Sequence, residues 1–365
     1  MSLALLLLLM VWSAWQDGDR IEFLDSARGQ RVTKVGRIKS EDAVRVVIEA
    51  PPGPAMTVPS AALVEIVYDQ LPAEVFVARN QERQRNWEAA QAQYQAALQK
   101  LPAGPSLLRR HLEFKGAEMQ ALRAEVGDAA QRTAARAELR RWLGQHGNAR
   151  QSFRALELLW RLADDEAGKQ DAMAELKKLA ATAPRDAELA RLCDRLEIQW
   201  RLREADRFWS AADLAALKKY LSELGPRLAE LRRGATGPSA APLVAWHAVV
   251  LAAQGQGDAA LAEIDEALTQ AAGDRVALAH LYLGRGLVQR LLQQTPEAIW
   301  SLLYVDVVYP DDAECRAAAL WHLAPLFVKQ GQGQRARHYR QRLRTDPALS
   351  GTWARHLEQK QPLQP

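Results

Sequence analysis

The sequence predicts a mainly α-helical chain that begins with a small β module. Three observations support this prediction. Short β-branched segments separated by Gly, Pro and Asp occupy the chain up to Pro72, and this is a strand pattern. Beyond Pro72, Ala, Leu, Arg, Glu and Gln dominate with an apolar period of 3.6 residues, which indicates helices. Ala260, Ala298 and Ala336 recur at an interval of 38 residues, which predicts stacked copies of one helical unit.

The overall composition is that of a soluble globular protein. The 365 residues are 48% hydrophobic and 25% charged, so extensive disorder is excluded. Cys193 and Cys315 are the two cysteines, too few for a disulfide framework or a four-cysteine zinc module. The formal net charge of +4 identifies no ligand.

The first element is an apolar run of ten residues from Leu3 to Trp12. As a helix it would span about 15 Å, half of a hydrocarbon core of ~30 Å. This length is typical of the apolar region of a secretory signal, so residues 1–16 are predicted to be a signal peptide or an N-terminal membrane anchor. We therefore expect export to the periplasm or cell envelope of a bacterium. No basic residue precedes the run, which leaves membrane anchoring and a cytoplasmic location as alternatives.

Residues 17–72 form the second element, the β module. Its five β-branched runs cover residues 21–24, 32–38, 44–48, 56–59 and 63–68. Five short strands can close into a barrel, which removes exposed sheet edges. The pattern that ends in Val58-Pro59 and the run from Leu63 to Ile66 resembles small SH3-like and Sm-like barrels. The resemblance implies either a cap for the helices or a module that binds peptide, nucleic acid or cell-wall material.

The third element is the helical part, in which one order of small and bulky residues recurs. A small residue in a first helix is followed by an Ala, a bulky residue and a second Ala in the next helix, and in some copies by a terminating Pro. The matching positions are Ala78, Ala90, Tyr94, Ala97 and Pro102; Ala172; Ala248, Ala260, Ile264 and Ala267; Gly286, Ala298, Leu302 and Pro310; and Ala324 and Ala336.

This order resembles the tetratricopeptide repeat, and the resemblance implies a right-handed α-solenoid of antiparallel helix pairs. Small residues let two helices approach to ~8–10 Å, and Pro ends the second helix because it lacks an N–H. The 38-residue interval exceeds the usual 34 and Arg340 replaces a bulky apolar residue, so the repeats are divergent. We expect divergent repeats over 73–233, a linker at 234–242, clearer repeats over 243–358 and a disordered tail at 359–365.

No pattern in the sequence indicates catalysis. The seven histidines include no His-x3-His pair and no His-Glu-x-x-His run, so a metal site on one helix is not predicted. No glycine-rich phosphate loop or nucleophile elbow is present either. The chain is therefore predicted to be non-enzymatic, without catalytic, cofactor-binding or metal-binding residues.

The expected function is that of an interaction scaffold in the bacterial cell envelope. The resemblance implies that a peptide or partner protein binds in the concave groove of the first helices, with Trp246 and Trp353 as candidate contacts. Most of five other tryptophans, which fall at or beside packing positions of the helix pairs, are expected in the core: Trp87, Trp160, Trp209, Trp300 and Trp321. An alternative is the binding of nucleic acid or another anionic polymer by the barrel and the Arg-rich helix faces. Acids interspersed among those arginines argue against nucleic acid.

Overall fold

The computed structural model describes residues 18–25, 30–50, 53–163, 165–182, 187–205, 208–209, 213–233, 235, 240–346 and 349. The predicted signal or anchor segment, the tail at 359–365 and Trp353 lie outside these residues, as does most of the predicted linker. The chain divides into two compact units, Met1–Cys193 and Asp194–Pro365. Among the described residues, no helix combines the length and apolar character needed to cross a membrane.

The first unit opens with five antiparallel strands in the spatial order β4-β3-β2-β1-β5. Their bounds are Asp19–Asp25 (β1), Gln30–Glu41 (β2), Arg45–Glu49 (β3), Met56–Pro59 (β4) and Leu63–Val67 (β5). The long strand β2 pairs with β1 through its first half and with β3 through its second half. Alternation along the strands places Ile21, Ile38, Val46, Ile48 and Val58 in one buried cluster.

The prediction of a closed barrel is wrong, because the sheet is open. Closure would require β4 to pair with β5, but these strands are the two edges of the sheet. A 3₁₀ turn at Ser60–Ala62 carries the chain from one edge to the other. The apolar side chains of the sheet pack instead against Leu107 and Leu108 of the helical part, which cover the core without closure.

In the part of the chain that the structure describes, the first unit continues with seven helices, and each of the first six packs against its neighbours in sequence among those six. Their bounds are Ala73–Arg83 (α1), Trp87–Lys100 (α2), Leu107–Ala124 (α3), Ala129–His146 (α4), Ser152–Arg161 (α5), Glu166–Ala181 (α6) and Ala187–Glu204 (α7), the last crossing the boundary between the units. Polar caps begin several of them. The Asn86 side chain accepts from the Ala89 N–H, and Asp128 and Gln131 form a reciprocal capping box. The turns between paired helices are short, so neighbours run antiparallel.

The second unit repeats one helical hairpin three times. Its helices are Leu214–Arg233 (α8), Ala241–Ala253 (α9), Gly257–Gln270 (α10), Arg275–Leu291 (α11), Thr295–Leu303 (α12), Ala313–Lys329 (α13) and Gly333–Thr345 (α14). A π-helical segment, Tyr304–Val308, continues α12. The second helices α10, α12 and α14 begin 38 residues apart, as the sequence predicts.

The turns inside the three hairpins share one backbone conformation. Gly255, Gln293 and Gly331, again 38 residues apart, have φ of 87°, 61° and 73°. A left-handed residue after the first helix lets the chain reverse within a few residues. The helical parts therefore consist of stacked helical hairpins, which confirms the predicted tetratricopeptide-like fold class.

Candidate functional site

The predicted repeat positions are mostly packing positions in the structure. Fully or almost fully buried are Ala78, Ala90, Tyr94, Ala97, Ala172, Ala248, Ala260, Ile264, Ala298, Leu302, Ala324 and Ala336. Gly286 is also buried, whereas Ala267 and Pro310 are partly buried and Pro102 is exposed. A Cβ atom on Gly286 would lie 2.7 Å from Leu302 Cγ, so a glycine lets α11 approach α12 closely. These side chains hold the hairpins together and leave ligand contacts to other residues.

The first-helix face of the second unit is covered by a side chain of the same unit. Trp209 follows α7 and is buried. The guanidinium carbon of Arg290 on α11 lies 4.2 Å from the centre of its indole ring. The ring of His322 on α13 meets the indole edge-on, with 5.6 Å between ring centres. Trp209 therefore bridges two first helices on the face that would otherwise form a groove.

The last turns of α7 reinforce this cover. Arg203 forms an ion pair with Glu314 at the start of α13, with 2.6 Å between nitrogen and oxygen. Leu202 and Trp209 belong to the same buried cluster as Val249 and Leu287 of α9 and α11. Part of the face on which the sequence predicts a partner peptide is therefore occupied by Trp209 and the end of α7. Trp246, the other candidate groove contact, is partly buried and packs against the same cluster.

The first-helix face of the first unit carries a ladder of paired charges instead. The Lys115 ammonium on α3 lies 2.8 Å from a carboxylate oxygen of Glu82 on α1 and 2.8 Å from one of Glu118 on α3. Arg154 on α5 contacts Glu118 at 2.9 Å. Burial alone would raise the pKa of Glu118, but the charges of Lys115 and Arg154 outweigh it and hold this pKa at about 2. The carboxylate stays ionised and joins α3 to α5, while Lys115 extends the network to α1 through Glu82.

One arginine from each of three Arg-rich stretches is paired with an acid. Arg140 contacts Asp171 at 3.3 Å, and Arg342 donates two hydrogen bonds of 2.7 Å to Asp306. Arg232 forms an ion pair with Glu263. Guanidinium groups that neutralise carboxylates within the fold are less able to neutralise phosphates. This weakens the alternative of nucleic-acid or anionic-polymer binding.

An exposed apolar surface lies on α12 and its π-helical continuation. Trp300, Tyr304, Val307 and Val308, called here the aromatic stripe, are 66%, 40%, 69% and 40% exposed. Their spacing of four, three and one residues places them on one side of a helix. Tyr282 of α11 stacks on Tyr304 with 4.7 Å between ring centres, which holds the tyrosine in place.

Trp300 is an exception to the expectation that most of the tryptophans at or beside packing positions lie in the core. Ala298 and Leu302, two positions before and after it, are both buried, and two residues rotate a helix by roughly 200°. Trp300 therefore points away from the side on which its neighbours pack. This opposition is visible in the repeat pattern and could have identified Trp300 as exposed.

The described residues also include clefts and one group with metal-ligand chemistry. A cleft of about 450 Å³ between α4, α5 and α6 is lined by Arg140, Asp171, Lys178 and other residues. The lining of this cleft includes positively and negatively charged side chains, and Arg140 and Asp171 form an ion pair. On the second unit, His280, Asp312 and Cys315 come within ligand distance of one another.

Comparisons with known proteins give structural neighbours only. No family model matches the chain, and no curated protein matches it. Among the solved structures, the chain is similar to a tetratricopeptide repeat protein from Parabacteroides merdae, with 14% identity, a TM-score of 0.43 and coverage of 74% of this chain and 90% of that one. It is also similar to a Rap protein complexed with competence and sporulation factor, with 14% identity, a TM-score of 0.41 and coverage of 79% and 75%.

Proposed function

We propose that the protein is a non-catalytic scaffold that binds a partner protein through the aromatic stripe on α12. The observation that carries this proposal is the exposure of four large apolar side chains on one side of α12 and the π-helical segment that continues it. Contiguous exposed apolar surface is characteristic of interaction sites on soluble proteins. Trp and Tyr are also the side chains that contribute most to binding when a partner buries them.

The partner that fits this surface is a protein with an apolar, largely uncharged patch. Trp300 and Val307 present the largest exposed fractions, so they would lose the most water on binding. At the edge of the stripe, Arg275 pairs with Asp311 at 2.7 Å. This pair provides a polar rim of the kind that surrounds the apolar centre of protein interfaces.

The repeat resemblance implies a second, more specific possibility, which is that a peptide binds in the groove formed by the first helices. In the second unit it requires Trp209 to leave Arg290 and His322. A Trp209→Ala variant would expose the first-helix face without touching the stripe. If the variant binds a peptide that the parent chain does not, the groove is a second binding site.

The proposed location is the bacterial cell envelope, reached by export. Support comes from the apolar run between Leu3 and Trp12. N-terminal sequencing of the mature protein tests this. A new N-terminus near Gln16 supports export, and an intact Met1 on protein recovered from the cytoplasm contradicts it.

Site-specific crosslinking tests the proposed interaction surface. A photoreactive phenylalanine analogue is placed at position 300 in the full chain, and at position 76 in a matched control. Phe76 is an aromatic residue on α1 that is 60% exposed. The proposal expects a single reproducible partner crosslinked from position 300 and absent from position 76.

Substitution provides the second arm of this test. Trp300→Ala should reduce recovery of the crosslinked partner at least tenfold when the probe is moved to Val307, whereas Phe76→Ala should not. Loss of one central aromatic contact typically costs ~2 kcal/mol or more of binding free energy, which corresponds to more than tenfold. Equal recovery with both variants would show that the stripe is not the binding surface.

A further inference from the structure

Two neighbouring hairpins of the second unit bring a histidine, an aspartate and a cysteine together. His280 lies in the second turn of α11, Asp312 precedes α13, and Cys315 lies in the first turn of α13. The Cys315 Sγ is 3.1 Å from His280 Nδ1, and an Asp312 carboxylate oxygen is 3.7 Å from His280 Nε2. One donor atom from each residue lies within 4.8 Å of the other two.

The roles of the two Asp312 oxygens differ. Oδ1 accepts a hydrogen bond of 2.7 Å from the Cys315 backbone N–H and so caps α13. Oδ2 is the oxygen that faces His280. It lies 3.7 Å from the ring nitrogen, beyond the range of a hydrogen bond. The cap can therefore persist while Oδ2 binds another group.

The cluster is closed on one side and open on the other. Cys315 is only 3% exposed, while the side chains of His280 and Asp312 are each 26% exposed. An ion could therefore enter from the side of the imidazole and carboxylate. The sulfur would remain shielded from bulk water.

The electrostatics favour a cation at this position. Burial raises the pKa of the Cys315 thiol, and the carboxylates of Asp312 and Glu314 raise it further. Burial lowers the pKa of His280. The negative charges of three acids raise this pKa by a smaller amount: Asp312, Glu314 and Asp274. The Asp312 carboxylate also attracts a divalent cation, whereas the charge of Glu314 is paired with Arg203.

We propose that His280, Asp312 and Cys315 bind one divalent transition-metal ion, with Zn²⁺ the expected ion and water as the fourth ligand. Thiolate, imidazole and carboxylate are the three ligand types that Zn²⁺ takes in proteins. In a tetrahedral site, a sulfur and a nitrogen at ordinary zinc distances are about 3.5 Å apart. The observed Sγ–Nδ1 separation of 3.1 Å is close to this value, so Nδ1 is the ring nitrogen that would bind the ion. Asp312 Oδ2, which faces Nε2, would have to turn towards the Nδ1 side.

Binding has a defined proton balance and a structural consequence. The thiol must lose its proton to become a ligand, so each ion bound releases one proton to the solvent. The ion would join the second turn of α11 to the start of α13. It would stabilise the stacking of two hairpins without altering the first-helix face covered by Trp209.

Metal titration of the full chain tests the proposal directly. Untagged protein, stripped with a chelator, is titrated with Co²⁺ and followed by absorption. We expect saturation at one equivalent and a near-ultraviolet thiolate-to-cobalt charge-transfer band. Zn²⁺ calorimetry in two buffers of different ionisation enthalpy should report one released proton. A cobalt complex without the thiolate band would overturn the proposal, whatever its affinity.

Variants separate this cluster from other sites on the chain. Cys315→Ser should weaken Zn²⁺ binding by more than about 100-fold, since even the loss of a group that only supports a ligand costs 10–100-fold. Asp312→Asn keeps a helix cap and should weaken binding at least about tenfold. Matched controls are Cys193→Ser and His247→Asn, both expected to change affinity less than twofold. If a control variant loses as much Zn²⁺ affinity as Asp312→Asn, the assignment of the site to His280, Asp312 and Cys315 is refuted. This comparison holds even if Cys315→Ser fails to fold.

Discussion

Replacement of Glu41 by Ala is expected to loosen the β sheet from the helices of the first unit. Glu41 ends β2, and its side chain is completely buried. It accepts hydrogen bonds from the Tyr68 hydroxyl, from Gln151 Nε2 at 3.0 Å and from Arg150 Nε at 3.2 Å. Arg110 on α3 donates to the Glu41 backbone carbonyl at 3.1 Å. One carboxylate thus connects the sheet to the α4–α5 connection, beside an arginine from α3.

The expected cost follows from what the substitution leaves behind. Arg150 and Arg110, whose side chains are 26% and 18% exposed, would lose their carboxylate. Removal of one partner of a buried ion pair costs about 3–5 kcal/mol. Because both arginines retain some contact with water, we expect about 3 kcal/mol. For a unit of this size, this lowers its Tm by roughly 6–12 °C.

Hydrogen exchange measures whether the loss is local. Amides of β2 and β3 should lose protection in Glu41→Ala, while amides of α9 to α13 in the other unit should not. Glu65→Ala is the matched control because Glu65 also joins the sheet to a helix, through Arg79 at 3.8 Å, but is 49% exposed. Exposed pairs contribute about 0–1 kcal/mol. Equal effects of the two substitutions would refute the reasoning.

Three further predictions concern the repeats. Gln293→Gly should raise the free energy of unfolding by about 1 kcal/mol in chemical denaturation, since Gln293 has φ of 61°. Gly286→Ala should cost about 1–3 kcal/mol in chemical denaturation because of the 2.7 Å approach to Leu302, whereas Gly116→Ala, with open space around it, should stabilise α3 by about 0.5–1 kcal/mol. Burial, aided by Arg290, holds the pKa of His322 well below its ordinary value, so the unfolded chain binds this proton first as pH falls. Unfolding at pH 5–7 should then show stability lost below about pH 6.5 at up to about 1.4 kcal/mol per pH unit, with a shallower slope in His322→Gln.

Particular outcomes would contradict these predictions. A neutral or negative effect of Gln293→Gly would show that the left-handed turn carries no strain. Destabilisation by Gly116→Ala equal to that by Gly286→Ala would mean that steric contact with Leu302 is not the cause. The same pH slope in the parent chain and in His322→Gln would exclude His322 as the titrating group.

The parts of the fold that depend on local pattern could be predicted from the sequence. Ala260, Ala298 and Ala336 each lie near the start of a second helix because a small residue is needed wherever two helices meet closely. The five strands were also readable from their β-branched runs. Closure of the sheet was not, because it depends on whether β4 and β5 pair across the module. Local sequence does not encode that pairing, and Leu107 and Leu108 cover the core in its place.

The candidate sites depend on contacts between distant residues and were harder to predict. Trp209 lies between helices, and its burial results from the approach of α11 and α13 to the end of α7. His280 and Cys315 are 35 residues apart, so no motif on one helix contains both. The 38-residue interval nevertheless places them near the same end of neighbouring first helices. A search across repeats, rather than along one helix, could have found this pair.

The buried position of Trp209 has an energetic consequence for partner choice in the second unit. Removing a large aromatic side chain from a packed site costs about 3–5 kcal/mol. A peptide that displaced Trp209 would have its apparent affinity reduced by roughly 100- to 4,000-fold, because each 1.4 kcal/mol corresponds to a factor of ten. The aromatic stripe carries no such cost, since Trp300 and Val307 are already exposed in the free protein. At equal intrinsic contact energy, a partner would therefore bind the proposed aromatic stripe in preference to the first-helix face.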